Sequence, residues 1–263
     1  METIDLSVFS LVLTFLLLAV PVILSLIYGL GLIKSLFYSA ARMTVQLVLI
    51  GIFLKYLFLW NNTLINLSWL IVMILVAVFS AVKSSAVKVS KIVIPCFLSF
   101  SIATFAVIMY LNIIVIPIDN IFDARYLIVL GGMLLGNSLR GNIVGISTFY
   151  KNIKNDTKKY LYVLSLGASQ YEALLPYIRE SINLALKPTL AAMATMGIVA
   201  LPGMMTGVIL GGADPEVAIK YQIMIMVAIV TSTIISVVLT ILMTLPVCFN
   251  RYGVLRQDVF INT

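Results

Sequence analysis

The chain has 263 residues, 62% of them hydrophobic and only 10% charged, where an ordinary soluble domain carries about a quarter charged residues. One soluble core of this size cannot hide so much apolar surface, so lipid must be the solvent for much of it. The net charge of +7 sits in short loops between apolar runs, which fits anionic lipid surfaces and the inner loops of a membrane protein and speaks against nucleic acid.

A membrane-spanning helix needs about 20 mostly apolar residues, and seven segments qualify: 7–30, 38–60, 64–83, 92–117, 126–148, 187–211 and 219–247. The sequence therefore predicts an all-α polytopic bundle of about seven spans, forming a single permease-like domain over residues 1–263. The N-terminus, Met1-Glu2-Thr3-Ile4-Asp5, lacks the basic region of a signal peptide, and the run behind it reads as a retained first span. The fifth and sixth spans are weaker, being rich in Gly, Asn, Ser and Thr. Between them, from Tyr150 to about Leu186, lies the longest polar interruption.

Placing the 150–186 loop in the cytoplasm puts 14 basic residues inside or near the inner face and leaves Lys55, Arg125 and Lys220 outside. The inner set is Lys34, Arg42, Lys83, Lys88, Lys91, Arg140, Lys151, Lys154, Lys158, Lys159, Arg179, Lys187, Arg251 and Arg256. Glu2, Asp5, Asp119, Asp123, Asp214 and Glu216 fall outside. The expected topology is an outside N-terminus and a cytoplasmic C-terminus, in a multi-pass protein of the plasma (inner) membrane.

Several chemistries are excluded. There is no G-x-x-x-x-G-K-[ST] phosphate loop. Without histidine there is no H-E-x-x-H metalloprotease and no Ser-His dyad. No span carries an acid in its middle, as an intramembrane aspartyl protease would need. Cys96 and Cys248 each lie in an apolar stretch, which argues against a disulfide framework. No catalytic residue is expected, and no cofactor.

The 150–186 loop is the informative part. Lys158 to Leu164 reads as a helix end, and Ser165-Leu166-Gly167-Ala168-Ser169 as a turn in which Gly167 takes positive φ. Gln170 to Ala185 reads as an amphipathic helix with Leu174, Leu175, Ile178, Ile182 and Ala185 on one face, followed by Pro188 as a kink or span start. Two readings stand: a surface helix resting on the inner leaflet, or a coupling element that docks a cytoplasmic partner. Small-residue ladders mark the flanking spans: Gly132/Gly136, Gly141/Gly145 and Gly203/Gly207/Gly211. Close helix packing is the expected reason. Pro202 in Leu201-Pro202-Gly203-Met204-Met205 predicts a broken backbone, tolerated at membrane depth where it lines protein or a wet cavity. Arg140 in Asn137-Ser138-Leu139-Arg140 either snorkels to the interface or faces a polar cavity. Met204 and Met205 could offer thioethers to a soft metal, though flexible apolar filler is the commoner role.

In order along the chain, Gly132-Met133-Leu134-Leu135-Gly136-Asn137, Ser165-Leu166-Gly167-Ala168, Arg179-Glu180-Ser181-Ile182 and Lys187-Pro188-Thr189 resemble the FetB-type iron-export permeases, with the related plant aluminium-tolerance membrane subunits. So do Leu201 to Gly207, Asp214-Pro215, Ala218 to Met224, and Arg42 with Gln46 and Leu54-Lys55-Tyr56. The resemblance covers essentially the whole chain. It implies the membrane subunit of an ABC (ATP-binding-cassette) exporter, a homodimer in the bilayer with a separate cytoplasmic ABC ATPase that binds ATP and Mg. By that resemblance Gly167, Ala168, Ser169, Tyr171, Glu172 and Arg179 are the coupling candidates. Asn137, Ser138, Arg140, Pro202, Met204 and Met205 are the translocation-path candidates, Arg140 without a family counterpart. Iron export or a role in metal homeostasis is implied, yet no iron cage is visible among these residues, and a non-metal cargo stays open. A membrane scaffold or sensor that recruits a cytoplasmic protein is the alternative. A secondary carrier would show ionisable groups at membrane depth, which the spans lack.

Overall fold

The computed structural model describes residues 7–85, 87–116, 118–199, 201–250 and 252–256. Glu2, Asp5 and Arg251 of the predicted charge map, and the Met1–Asp5 terminus, lie outside the described residues. Among the described residues ten α-helices follow one another: α1 Val8–Phe15, α2 Ala19–Ile27, α3 Ile33–Trp60, α4 Thr63–Lys83, α5 Val89–Tyr110, α6 Ala124–Asn155, α7 Thr157–Ser165, α8 Gln170–Thr195, α9 Gly203–Leu210 and α10 Pro215–Cys248. A 3₁₀ turn at Leu16–Leu18 joins α1 to α2, and a π turn at Leu111–Val115 ends α5. The all-helical polytopic architecture is the one expected. Among the described residues six helical segments are long and apolar enough to cross a membrane: Phe9–Ile27, Ile33–Trp60, Thr63–Lys83, Lys91–Val115, Ala124–Asn155 and Pro215–Cys248.

Helix starts are set by local chemistry. Asn62, Asp123 and Asp214 each accept backbone N–H groups that the first turns of α4, α6 and α10 leave unpaired, and Pro215 occupies the favoured first position of α10. Asn61 closes α3 with φ 39°. Its amide donates to the Asp123 carboxylate at 2.8 Å, and its oxygen accepts from the Ala124 N–H at 2.9 Å and from Asn66, so one polar corner fastens the α3–α4 connection to the start of α6.

The packing register gives the direction of each helix. Ser138 pairs with Ser232, Asn142 with Ser236 and Tyr150 with Thr244, always 94 residues apart, so α6 and α10 run side by side in the same direction. Leu70 faces Gly131 and Met73 faces Gly132, which makes α4 parallel to them as well. Conversely, Ser99 meets Met243 while Val115 and Ile116 share a cleft with Lys220 and Tyr221, so α5 runs antiparallel to α10. Asn152 bonds Glu180 and Gly145 faces Ala185, so α8 is antiparallel to α6. Two spanning helices that run parallel require one return crossing between them, and α8 with α9 supplies it. The crossings then number seven.

These directions bring the ends of α4, α6 and α10, the starts of α3, α5 and α8, and all of α7 to one end of the bundle. Lys34, Lys83, Lys88, Lys91, Lys151, Lys154, Lys158, Lys159, Arg179 and Arg256 lie there, opposite Asp119, Asp123, Asp214 and Glu216. The core runs along α4, α5, α6, α8 and α10, with Leu70, Ile74, Phe100, Ile108, Leu127 and Phe149 fully enclosed. Through it passes a polar seam in which Ser138, Asn142, Ser232, Thr233, Ser236, Thr240 and Thr244 are all buried. Helices α1 to α3 are different: their large apolar side chains are largely exposed, as lipid-facing or subunit-facing surfaces are.

Three expectations need correction. The predicted spans 38–60 and 126–148 are too short, because α3 starts at Ile33 and α6 continues to Asn155. The predicted span 187–211 is not one helix: Gln170 to Thr195 is continuous through Pro188, and the chain then breaks before α9. Finally, the amphipathic segment does not rest on the leaflet. Leu174, Ile178 and Ala185 are buried in the common core, so its apolar face is spent against protein. Cys96 and Cys248 are buried and not joined in a disulfide.

Candidate functional site

Two features carry the chemistry: a cavity around the break between α8 and α9, and the helix–turn–helix at the basic end. The break begins where Met196 leaves helical geometry (φ −66°, ψ 137°) and Gly197 takes φ 85°. It ends at Pro202, which caps α9 with φ −63°, ψ 142° and no side-chain bond. Proline lacks the N–H that a continuous helix would use, and its ring would meet the carbonyl one turn back. The break predicted at Pro202 is therefore present, beginning six residues earlier.

A cavity of about 620 Å³ lies against this break, lined by Met133, Asn137, Arg140, Pro188, Thr189, Met196, Pro202, Gly203, Met204, Gln222 and Met226, among others. No carboxylate is among its lining residues. Of the predicted path residues, Asn137, Arg140, Pro202 and Met204 are thus brought together. Arg140 is exposed and lines this cavity. Asn137 donates its amide to the Met133 carbonyl one turn back at 2.9 Å, which leaves its oxygen available. Ser138 is not part of the cavity: it is fully buried on a different face of α6, against Ser232 at 3.3 Å. One residue along a helix turns a side chain by about 100°, and that step separates Asn137 from Ser138. Met205 also departs from Met204, lining a second cavity of about 420 Å³ with Met193, Met196, Leu201, Gln222 and Met226. Gln222 and Met226 of α10, which touch both cavities, are the residues that pattern reading missed. A lone amide in an otherwise apolar stretch of α10 was the available signal.

The glycine ladders divide into two kinds. A Cβ on Gly141 would stand 2.5 Å from Thr233 Cγ2, on Gly145 2.9 Å from Val237 Cγ1, and on Gly131 2.7 Å from Leu70 Cδ1. At these positions small residues allow close helix approach, as expected for Gly141 and Gly145, while Gly131 lies outside the predicted ladders. A Cβ on Gly136, Gly203 or Gly207 would meet nothing within 4 Å, so the packing explanation does not hold for these three within one chain.

At the basic end, α7 and α8 are joined through Leu166, Gly167 and Ala168. Gly167 has φ 94°, with nothing within 4 Å of a would-be Cβ, so its requirement is conformational rather than steric. Ser169 forms a capping box with Glu172: the serine hydroxyl accepts from the Glu172 N–H, and the Ser169 N–H donates back to the carboxylate at 2.8 Å. The bonds from Ser169, side chain first and backbone second, hold the Glu172 carboxyl below its usual range. Ser169 and Glu172 are thereby occupied in starting α8, while Gly167, Tyr171 and Arg179 are exposed and Ala168 half-buried. Large apolar groups are also exposed here, beyond the lipid-facing stretches: Tyr162 at 64%, Leu166 at 70% and Tyr171 at 58%.

A C-terminal hook holds this element from beneath. Phe249 pairs with Leu255, Asn250 Oδ1 accepts from the Tyr252 and Val254 N–H groups, and Gly253 turns with φ 73°. The Tyr160 hydroxyl of α7 donates to the Gly253 carbonyl at 2.7 Å, and its ring meets Phe249 edge-on. Burial pushes the Tyr160 phenol up to about 12.

The profile of the Uncharacterised protein family (UPF0014) matches residues 8–249. The chain belongs to the UPF0014 family. It is 32% identical over 246 residues to "Probable iron export permease protein FetB" of Escherichia coli (strain K12), covering 92% of each chain. It is 28% identical over 251 residues to "UPF0014 membrane protein YjkA" of Bacillus subtilis (strain 168), covering 95% of this chain and 98% of the relative. It is 32% identical over 250 residues to "Protein ALUMINUM SENSITIVE 3" of Arabidopsis thaliana, covering 91% and 86%. No solved structure matches. As a UPF0014 protein with this helical architecture, the chain is a multi-pass membrane protein of a permease family. Among the described residues no group of three or more Cys, Asp or Glu side chains gathers as a metal cage.

Proposed function

We propose that this chain is the membrane subunit of an ATP-driven exporter that serves iron or wider metal homeostasis. Hydrolysis takes place in a separate ABC ATPase, which binds ATP and Mg and docks on the α7–α8 turn. The turn faces the cytoplasm, the N-terminus lies outside, and the plasma membrane holds a homodimer. The observation that carries this reading is the continuity of α8. It starts at the exposed turn, runs unbroken for 26 residues, about 39 Å at 1.5 Å per residue, and ends at the cavity. The helix is continuous through Pro176 and Pro188, so it joins Gly167–Tyr171 to Met196, where the backbone leaves helical geometry, by one unbroken element. The exposed Tyr162, Leu166 and Tyr171 offer the apolar anchor points a docked protein covers, with the exposed Arg179 farther along α8. Arg42 and Gln46, exposed and one turn apart on α3, are polar groups that a second copy shields from lipid. Export as the direction, and iron as the metal, are supported by the name of the Escherichia coli relative.

The test is a pull-down of the solubilised chain from its native membrane, with mass spectrometry and an ATPase assay on what is retained. The proposal expects an ABC ATPase to be retained, and Gly167→Pro to insert normally while losing stimulated hydrolysis. Proline fixes φ near −65° and cannot make a turn at 94°. Transport at the parent rate in that variant would remove the docking assignment.

A further inference from the structure

The smaller cavity differs from its neighbour in kind. It carries no charged residue, and four of its ten lining residues are methionines: Met193, Met196, Met205 and Met226. The fifth potential donor is Gln222. Its side-chain nitrogen donates to Met196 Sδ at 3.6 Å, while its oxygen is buried and has no hydrogen-bond partner, in a residue only 7% exposed. A buried amide oxygen left unpaired costs about 1–3 kcal/mol, so the position calls for something that oxygen can bind. From that feature and the thioethers around it we infer that this cavity is a binding site for a soft, low-valent cation of the Cu(I) class.

Three physical arguments converge on that class. Thioether sulfur is a soft donor that selects Cu(I) over hard, oxygen-seeking ions. The donor set is neutral, and the cost of burying an ion rises with the square of its charge, which favours a monovalent ion over Fe²⁺ or Mn²⁺. The remaining term is electrostatic: α8 ends at Thr195, beside Met196, so the negative end of its dipole lies next to this cavity. The positive features, Arg140 and the start of α9 at Gly203, line the larger cavity instead. Met196, Gln222 and Met226 border both cavities, so the ion sits at the edge of the path and next to the break. The inference rests on the exporter reading only in treating the ion as cargo; binding itself stands apart from it.

The probe is Ag⁺, a redox-stable ion of the same class, titrated anaerobically into the full-length protein in lipid nanodiscs against a competing chelator. The expected result is one tight site per chain, with sulfur neighbours in the silver X-ray absorption spectrum. Replacing two thioethers in the near-isosteric double variant Met196→Leu/Met205→Leu should weaken binding by about tenfold or more, since even outer-shell changes cost about that much at metal sites. Met73→Leu, in the lipid-facing groove beside α3, should bind as the parent does. Elution of each variant as the parent on size exclusion separates lost binding from lost fold. Equal affinity in the double variant, or displacement of Ag⁺ by Fe²⁺ at comparable concentration, would overturn the assignment and leave the exporter reading untouched.

Discussion

The close approach of α6 and α10 can be tested by adding one methyl group and taking another away. A Cβ on Gly141 stands 2.5 Å from Thr233 Cγ2, while its next neighbour, Val237 Cγ2, is at an ordinary 3.6 Å. Gly141→Ala gains about 1 kcal/mol of helix propensity but overpacks a tight interface at about 1–3 kcal/mol, so a net loss near 1 kcal/mol is expected. Thr233→Ser deletes only the offending methyl and keeps the hydroxyl. In the double variant the clash is gone and the propensity gain remains. The pair should therefore couple favourably by about 1–2 kcal/mol in equilibrium unfolding from mixed micelles. Additivity of the two single effects within about 0.5 kcal/mol would refute the packing argument.

Other consequences follow from the coupling element. Ser169→Ala removes the α8 cap and should cost about 1 kcal/mol, seen as faster amide exchange confined to residues 170–173. The Glu172 carboxyl is held below its unfolded value, so its contribution is present above that value and disappears as pH falls through the folded one. Protection of the Glu172 amide should fall on acidification in the parent and change little in Ser169→Ala. Tyr160 is raised to about 12, so the hook should be stable below the ordinary phenol range and loosen as pH rises from there towards 12. Tyr160→Phe should release residues 252–256 at neutral pH, measured by exchange or by proteolysis of the tail.

Local rules reached part of this structure and stopped at identifiable residues. Apolar run lengths reveal the spans because lipid demands them, and Gly167 is legible because few other residues tolerate its turn. Lys187-Pro188 reads as a boundary, yet α8 passes through it. The earlier residues Leu174, Ile178 and Ala185 pack against protein, and the segment is therefore not free to lie on the membrane. Ser138 and Asn137 look equivalent in sequence, and only the placement of α10 decides that one joins the seam and the other the cavity. The ladder at Gly203 and Gly207 matched the packing pattern, yet a Cβ at either position would meet nothing within 4 Å. The hook at Asn250 and Gly253 depends on contacts with Tyr160 about 90 residues away, beyond any local pattern.

The central claim is that the α7–α8 turn drives the break at the far end of α8. Its most direct measurement is the labelling rate of a cysteine at Ile198, exposed within the break, in the chain reconstituted with the ATPase retained in the pull-down, with and without ATP. Cys96 and Cys248 are replaced by alanine to clear the background. The account predicts that ATP changes the rate several-fold, and that Gly167→Pro abolishes the change. An ATP-independent rate in the parent complex would contradict it.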